Sequence, residues 1–281
     1  MSSEQSKSDF IPQRLGAGGV AEAWLVQDQE TGKLMVSKRL ICDEKLRHLV
    51  RTANQRAHAL LTPLKLFNPK IQMPLEPFWA DEALYEYIPG TSLEKTVPGI
   101  LPLEEKIYLL KRRLLQAVDA VVELGGKGLV HCDIRPENMV LTPTGEVMLI
   151  DPDFTLEAKS YKRRQLHGPV WFTAPEVLEG KPSTSSDLFS LGVSIWTLLG
   201  ADLKVLPSPL VLSEERLKEG FHSAGTAKSL RQIRPAVEAE DREFAQLLDA
   251  LTEPNPADRP MLSDCIGSLR EHVDEQIYML N

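Results

Sequence analysis

Cysteine and aromatic residues are scarce in this sequence. The 281 residues include three cysteines, and Phe, Trp and Tyr together make up 6% of the chain. The cysteines, Cys42, Cys132 and Cys265, are odd in number and far apart, so they fit neither a disulfide framework nor a zinc site. A reducing compartment is therefore expected.

Long hydrophobic runs and positive charge are also lacking. The most apolar stretch, residues 188–201, is shorter than the roughly 20 residues of a membrane-spanning helix and is interpreted as a buried helix. Residues 1–10 are polar and no signal-type apolar segment follows them, which predicts a disordered start and a cytoplasmic protein. The formal net charge of −8 argues against general binding to nucleic acid or anionic membranes.

Hydrophobic periodicity divides the chain into a β-rich first third and a helical remainder. Strands are predicted at 20–27 and 34–41, joined by the turn signal Glu30-Thr31-Gly32-Lys33, and two more strands are predicted within 71–88. Helices are predicted at 43–62, from Pro102 to the Gly125-Gly126 pair, and at 186–200, 241–251 and 261–276. A junction near Ile88-Pro89-Gly90 separates the two parts.

Two features of the first third suggest phosphate binding. The stretch LGAGGVAEAWL, residues 15–25, joins two predicted strands; it is either an ordinary hairpin turn or a loop whose N–H groups approach phosphates. Lys38, on the strand that would pair with this loop, is either an edge lysine reaching water or a point charge for nucleotide phosphates.

Residues 131–138, HCDIRPEN, carry the most specific pattern. The spacing His-x-Asp-x-x-x-x-Asn arises by chance in about one chain in a hundred. Asp133 offers a carboxylate that can accept a hydroxyl proton, and Asn138 offers a neutral oxygen for a hard cation. Asp151, at the end of an apolar run, is either a Mg²⁺ ligand or a turn aspartate.

In this order, the motifs resemble those of the eukaryotic-type protein kinase domain, from about Ile11 to Leu269. The further matches are IDPD in the place of D-F-G and Ala174-Pro175-Glu176 for A-P-E. SSDLFSLGV resembles the start of the buried helix that anchors the catalytic loop through Asp187, and NPADRP supplies Arg259, which in the family pairs with the A-P-E glutamate. The resemblance implies an α+β, two-lobed fold. A small β-rich N-lobe with one main helix would span residues 11–88, and a larger, mainly α-helical C-lobe would span residues 89–276.

The resemblance also implies roles for individual residues. Nucleotide binding is assigned to Gly16, Ala17, Gly18, Gly19, Lys38, Glu86, Tyr87 and Ile88, beside the gatekeeper Tyr85. Catalytic roles fall to Asp133, Lys38, Arg135 and Asn138, and metal binding to Asn138 and Asp151. The implied cofactors are ATP and Mg²⁺, and the implied partner is a protein substrate or a regulated protein.

The chain departs from the family pattern at the lysine's partner. The family places a glutamate in the N-lobe helix, yet no Asp or Glu occurs from Lys45 to Leu75. Four candidates remain: Gln55 or Asn54 by hydrogen bonding, Glu44 from a displaced helix, and Asp151.

The D-P-D segment is a second departure. Pro152 is expected to bias Asp151 toward extended backbone, and the phenylalanine that follows the aspartate in the family is absent. Asp153 is expected to be solvated rather than to add a second carboxylate to the metal site.

Control and substrate class are affected by further substitutions. Cys132 replaces an arginine that grips an activation-segment phosphate in the family, so the usual phosphate control is not expected. Arg135 replaces a lysine and keeps the charge but not the geometry. The basic segment 159–164 is interpreted as solvated rather than as a docking site or a flank for phosphorylation at Ser160 or Tyr161.

The preferred function is a divergent ATP- and Mg²⁺-dependent protein kinase acting on Ser/Thr. HCDIRPEN resembles the Ser/Thr version of its motif, whereas residues 168–173, GPVWFT, resemble the tyrosine version of theirs. The alternative is a pseudokinase that binds nucleotide or a partner, favoured by the missing helix glutamate and the D-P-D segment. A small-molecule kinase is a third option, against which the A-P-E block and Arg259 argue.

Overall fold

The computed structural model describes residues 11–64, 70–78, 81–97, 99–160, 169–201, 221–261, 264 and 267. The predictions for residues 1–10, for residues 161–164 of the basic segment and for most of the helix at 261–276 lie outside these ranges.

A five-stranded antiparallel sheet forms the N-lobe. Its strands are β1 (Gln13–Ala17), β2 (Ala21–Gln27), β3 (Leu34–Leu40), β4 (Pro74–Glu76) and β5 (Glu82–Glu86), in the spatial order β1-β2-β3-β5-β4. In the β2–β3 turn, the Asp28 carboxylate accepts hydrogen bonds from the N–H groups of Glu30 and Thr31. Gly32 supplies a φ of 71°, a conformation that favours glycine. The predicted hairpin is confirmed.

One long helix, α1 (Glu44–Leu61), packs beside this sheet. Asp43 caps it, because its side chain accepts a hydrogen bond from the Leu46 N–H at 3.0 Å. Its buried residues follow the i, i+3, i+4, i+7, i+11 spacing of one helix face: Val50, Ala53, Asn54, Ala57 and Leu61. Asn54 is the polar member of this face, and it points toward the junction of the lobes.

The C-lobe is mainly helical. Its helices are α2 (Leu93–Thr96), α3 (Leu103–Gly126), α4 (Pro175–Leu178), α5 (Ser186–Leu199), α6 (Phe221–Glu240) and α7 (Arg242–Leu251). Short strands β6 (Thr91–Ser92), β8 (Met139–Leu141) and β9 (Val147–Leu149) form one small sheet, and β7 (Leu129–Val130) pairs with β10 (Leu156–Glu157). The arrangement confirms the predicted α+β, two-lobed fold.

The core of the C-lobe explains the apolar stretch of the sequence. Helix α5 is buried almost all round, from Ser186 to Trp196, because it lies between α3 and α7. Among the described residues, no helix has the length and apolar character needed to cross a membrane.

Helix α6 was not predicted. Its sequence contains Gly225 and Pro235, and these residue types usually indicate a loop.

Candidate active site

The glycine-containing loop is the tip of the β1–β2 hairpin. The loop is exposed, and the Gly18 N–H donates to the Ala21 carbonyl at 2.8 Å. A Cβ added at Gly16 would meet no atom within 4 Å, and one added at Gly18 would meet only the Ala21 oxygen, at 3.8 Å. The glycines therefore border open space, and a ligand could approach the loop backbone closely.

Lys38 lies in a cross-strand row of small residues. Gly16 is opposite Ala23, Ala23 is opposite Lys38, and Lys38 is opposite Ala83, so all four share one face of the sheet. The other three residues are glycine or alanine, so Lys38 has the only long side chain of this row. Its ammonium contacts the carboxylates of Asp151 and Asp153, the latter at 3.0 Å.

The charge of Lys38 is held by these two carboxylates. The residue is 9% exposed, and its ammonium also lies 4.6 Å from the centre of the Tyr85 ring. Burial opposes the charge, but Asp151 and Asp153 outweigh it and raise the pKa of Lys38 above its usual value. Lys38 is therefore protonated and is not an edge lysine reaching water.

Asp133 and Asn138 face each other across the loop 131–138. The Asn138 side-chain nitrogen donates to the Asp133 carboxylate at 2.8 Å and to its carbonyl at 2.9 Å. Arg135 Nε lies 3.5 Å from the second carboxylate oxygen of Asp133. Burial raises the pKa of Asp133 to about 8, against the lowering effect of Arg135. The buried carboxylate is suited to accept a proton near neutral pH.

Helix α5 anchors this loop from below. The Asp187 carboxylate accepts hydrogen bonds from the backbone N–H groups of His131 and Cys132, at 2.7 and 3.0 Å. This contact confirms the expected anchor. The φ of Cys132 is 66°, a strained value for a side-chain-bearing residue, and the two hydrogen bonds hold it there.

The prediction for the backbone of Asp151 is wrong. Its φ of 65° and ψ of 58° are left-handed, not extended, although a proline follows. This conformation costs roughly 1–2 kcal/mol for a residue with a side chain. The contacts of Asp151 stabilise it, because its N–H donates to the Gln72 side chain at 3.1 Å and its carboxylate binds Lys38.

The prediction for Asp153 is also wrong. The residue is 7% exposed rather than solvated, and burial raises the pKa of its carboxyl. It joins Lys38 to Asn54 of helix α1, whose side-chain nitrogen donates to Asp153 at 2.9 Å. The other candidate partners of Lys38 bond elsewhere: Gln55 donates to the Phe78 carbonyl and Glu44 accepts from Arg51.

Gln72 is a buried residue of this region that none of the sequence motifs predicts. Its side-chain nitrogen donates to the Glu86 carbonyl at 2.7 Å, and its oxygen accepts from the Asp151 N–H. It thus connects the end of β5, beside the half-buried Tyr87 and Ile88, to the aspartate segment. The available signal was a single polar residue in the otherwise apolar run IQMPL.

Glu176 of the A-P-E block forms a buried ion pair with Arg259. Arg259 forms two parallel hydrogen bonds to Glu176, at 2.6 and 2.8 Å, and both residues are about 5% exposed. Ser186 at the start of α5 also donates to Glu176 at 2.6 Å. The pairing expected from the resemblance is confirmed, and it joins the A-P-E block to the helical core.

The donor set suits a magnesium-bound nucleotide. Because the Asn138 nitrogen is used by Asp133, its amide oxygen is the atom available to a cation, and Asp151 adds a carboxylate. Mg²⁺ takes oxygen ligands, commonly one or two from protein beside phosphates and waters. Among the described residues, no cluster of three His, Cys, Asp or Glu side chains could form an all-protein metal site.

Comparison with known proteins gives one family and many relatives. The model of the protein kinase domain matches residues 11–269. An Aurora kinase of Dictyostelium discoideum is 25% identical over 92% of this chain and 65% of its own length. CBL-interacting serine/threonine-protein kinase 3 of Arabidopsis thaliana is 25% identical over 89% of this chain and 55% of its own length.

A bacterial relative is similar at the same level. Serine/threonine-protein kinase D of a Synechocystis species is 29% identical over 69% of this chain and 41% of its own length. The chain therefore spans only part of the length of each of these three relatives.

Proposed function

The chain belongs to the protein kinase domain family, and from this premise we propose that it transfers the γ-phosphate of ATP to a Ser or Thr hydroxyl of a protein. The observation that carries the proposal is a chain of contacts that brings four side chains together: Lys38 binds Asp151, and Asn138 binds Asp133. The two pairs are neighbours, because the Ile150 N–H, one residue before Asp151, donates to the Asn138 carbonyl at 2.9 Å. The names of the relatives support Ser/Thr as the acceptor.

The residues of the site have separate roles in phosphoryl transfer. Asp133 holds the acceptor hydroxyl and takes its proton, while Arg135 beside it offers positive charge toward the transferred phosphate. Lys38 binds phosphate oxygens beneath the glycine loop. Asn138 and Asp151 hold Mg²⁺, which when bound neutralises phosphate charge. Glu86, Tyr87 and Ile88 face the adenine.

Control by a phosphate on the activation segment is not part of this proposal. Cys132 stands where the family's phosphate-gripping arginine would lie, and it is buried at 4% exposure with its N–H on Asp187. Burial raises the pKa of its thiol well above the usual value, so it supplies no charge of either sign.

The direct experiment compares phosphate transfer by wild type and Asp133→Asn. Labelled ATP, Mg²⁺ and a mixture of generic protein substrates are used. We expect wild-type transfer and a fall of about 100-fold or more in the variant, because positioned general bases contribute roughly 10² to 10⁴. Asp119→Asn is the control, since Asp119 pairs with Lys70 and both side chains are partly exposed.

A pseudokinase is the second candidate, and one observation favours it. Both carboxylates of the D-P-D segment contact Lys38, so neither Lys38 nor Asp151 is free of an internal partner. Binding of ATP–Mg²⁺ without transfer, by wild type and Asp133→Asn alike, would establish this second function. Transfer that persists in Asp133→Asn would mean that Asp133 is not the base.

A further inference from the structure

The lysine of the N-lobe lacks a carboxylate partner on the helix beside it. Helix α1 carries no acidic residue after Glu44, and the residue that it turns toward Lys38 is Asn54, which is 1% exposed. Asn54 does not reach the lysine itself. Its nitrogen donates to Asp153 at 2.9 Å, and its oxygen accepts from the Phe78 N–H at 2.9 Å.

The two carboxylate oxygens of Asp153 bind different partners. Oδ2 lies 3.0 Å from the Lys38 ammonium, while Oδ1 accepts hydrogen bonds from Asn54 and from the Tyr85 hydroxyl. Tyr85 is fully buried, and Asn54 also donates to its hydroxyl oxygen. A buried carboxylate with this many donors is fixed in orientation, so it fixes the ammonium in turn.

The backbone of the D-P-D segment makes this geometry possible. Residues 152–154 form one turn of 3-10 helix that packs against α1, with Asp151 left-handed immediately before it. The turn brings two carboxylates, from positions 151 and 153, to one ammonium. A glycine at position 153, as in D-F-G, would supply no carboxylate here.

We propose that Asp153 is a positioning residue that replaces the missing helix glutamate, connecting Lys38 to helix α1 through Asn54 and Tyr85. The inference rests on the proposed function. It assigns different tasks to the two aspartates. When Asp151 turns to a cation, Asp153 still holds Lys38 in place, so the lysine can meet phosphate without losing its internal partner.

The test measures kcat and the KM for ATP in Asp153→Asn, Tyr85→Phe and the double variant. Asp153→Asn keeps the shape and removes the charge; we expect kcat to fall about tenfold or more, with a smaller change in KM. Tyr85→Phe removes one hydroxyl and is expected to lower kcat several-fold. Because Tyr85 acts through Asp153, the double variant should be no slower than Asp153→Asn.

Two results would overturn the inference while leaving the proposed function intact. One is an active wild type with Asp153→Asn as fast as the control Asp119→Asn. The other is full additivity of Tyr85→Phe and Asp153→Asn, which would indicate independent structural effects. Asn54→Ala provides a second cycle with Asp153→Asn for the same comparison.

If the wild-type protein transfers no phosphate, the proposed function is contradicted. The inference is then tested by the affinity of the variants for nucleotide. ATP–Mg²⁺ is titrated into the same proteins by calorimetry, and their unfolding midpoints are compared without nucleotide. We expect weaker ATP binding in Asp153→Asn and non-additive midpoint shifts for the pair with Asn54→Ala. Equal affinity and additive shifts would overturn the inference.

Discussion

At the scale of single residues, the catalytic-loop motif contains a histidine that has no access to water. His131 is fully buried. Its Nδ1 accepts a hydrogen bond from the Asp133 N–H at 3.3 Å, so this nitrogen carries no proton. Burial lowers the pKa of His131 from 6.5 to about 4. Between pH 4 and pH 6.5, the unfolded chain therefore binds a proton at this histidine, whereas the folded protein does not.

The free energy of unfolding should accordingly fall as the pH drops from 6.5 to 4. The loss attributable to His131 is on the order of 3 kcal/mol, at about 1.36 per pKa unit. His131→Phe should show a flatter dependence over this window, measured by urea unfolding at pH 7, 6, 5 and 4. His48→Gln, at an exposed histidine, is the control; equal slopes in wild type and His131→Phe would contradict the assignment.

The Glu176–Arg259 pair gives a second prediction at this scale. Glu176→Gln removes the charge partner of a buried guanidinium, and breaking a buried pair costs about 3–5 kcal/mol. Arg259 keeps carbonyl acceptors at Glu253 and Ser185, so we expect the lower end of that range. Chemical denaturation measures it. Glu179→Gln is the matched control, because its pair with Lys181 is exposed and should contribute less than about 1 kcal/mol.

Single residues are also where prediction from sequence failed. Motif spacing singled out Lys38, Asp133, Asn138 and Asp151, because each lies in or soon after a recognisable strand or turn, and their roles remain predictions. It placed Asp153 in solvent, since an aspartate after proline in a loop usually is. What decides its burial is the approach of Asn54, 99 positions away in the chain, and local sequence carries no record of that contact.

At the scale of elements, the contact between α5 and α7 depends on a glycine. A Cβ at Gly192 would lie 2.7 Å from Thr252 Cγ2 and 2.9 Å from the Leu251 Cβ. Gly192→Ala gains up to about 1 kcal/mol of helix propensity, but overpacking costs roughly 1–3 kcal/mol. We expect net destabilisation, read as a lower denaturation midpoint.

A matched helix glycine separates the two effects. Gly126, in the last turn of α3, has no atom within 4 Å of the position of an added Cβ. Gly126→Ala should be neutral or slightly stabilising. A Gly192→Ala protein as stable as Gly126→Ala would mean that the two helices can move apart at little cost.

Long helices with a continuous apolar face, or with a long apolar run such as that of α5, were predictable, whereas the short and proline-interrupted helices were not. The spacing of Leu103, Ile107, Leu110 and Leu114 predicted α3 to within two residues of its ends. Helix α6 was missed because Pro235 lies inside it and signals a break. Its packing against α7 stabilises it despite the lost hydrogen bond, and such tertiary compensation is invisible in a local pattern.

At the scale of the whole molecule, the lobes meet at a site where a bound ligand would compete with several internal contacts. The N-lobe contributes Lys38 and Asn54, and the segment after β9 contributes Asp151 and Asp153. Lys38 lowers the pKa of Asp151 despite partial burial, so the carboxylate is ionised and suited to Mg²⁺. A nucleotide would replace the Asp151–Lys38 contact by contacts to both lobes.

Binding of ATP–Mg²⁺ should therefore stabilise the whole chain in a metal-dependent way. At ligand concentrations of 100 times Kd the gain is about 2.7 kcal/mol, which corresponds to a rise in Tm of roughly 5–10 °C for a domain near this size. Asp151→Asn should retain the fold and lose most of the rise that Mg²⁺ adds to ATP alone. Thermal scans with ATP, with ATP–Mg²⁺ and with ATP plus a chelator measure it. The same rise in the chelator, or in Asp151→Asn, would show that the nucleotide binds without a metal at this position.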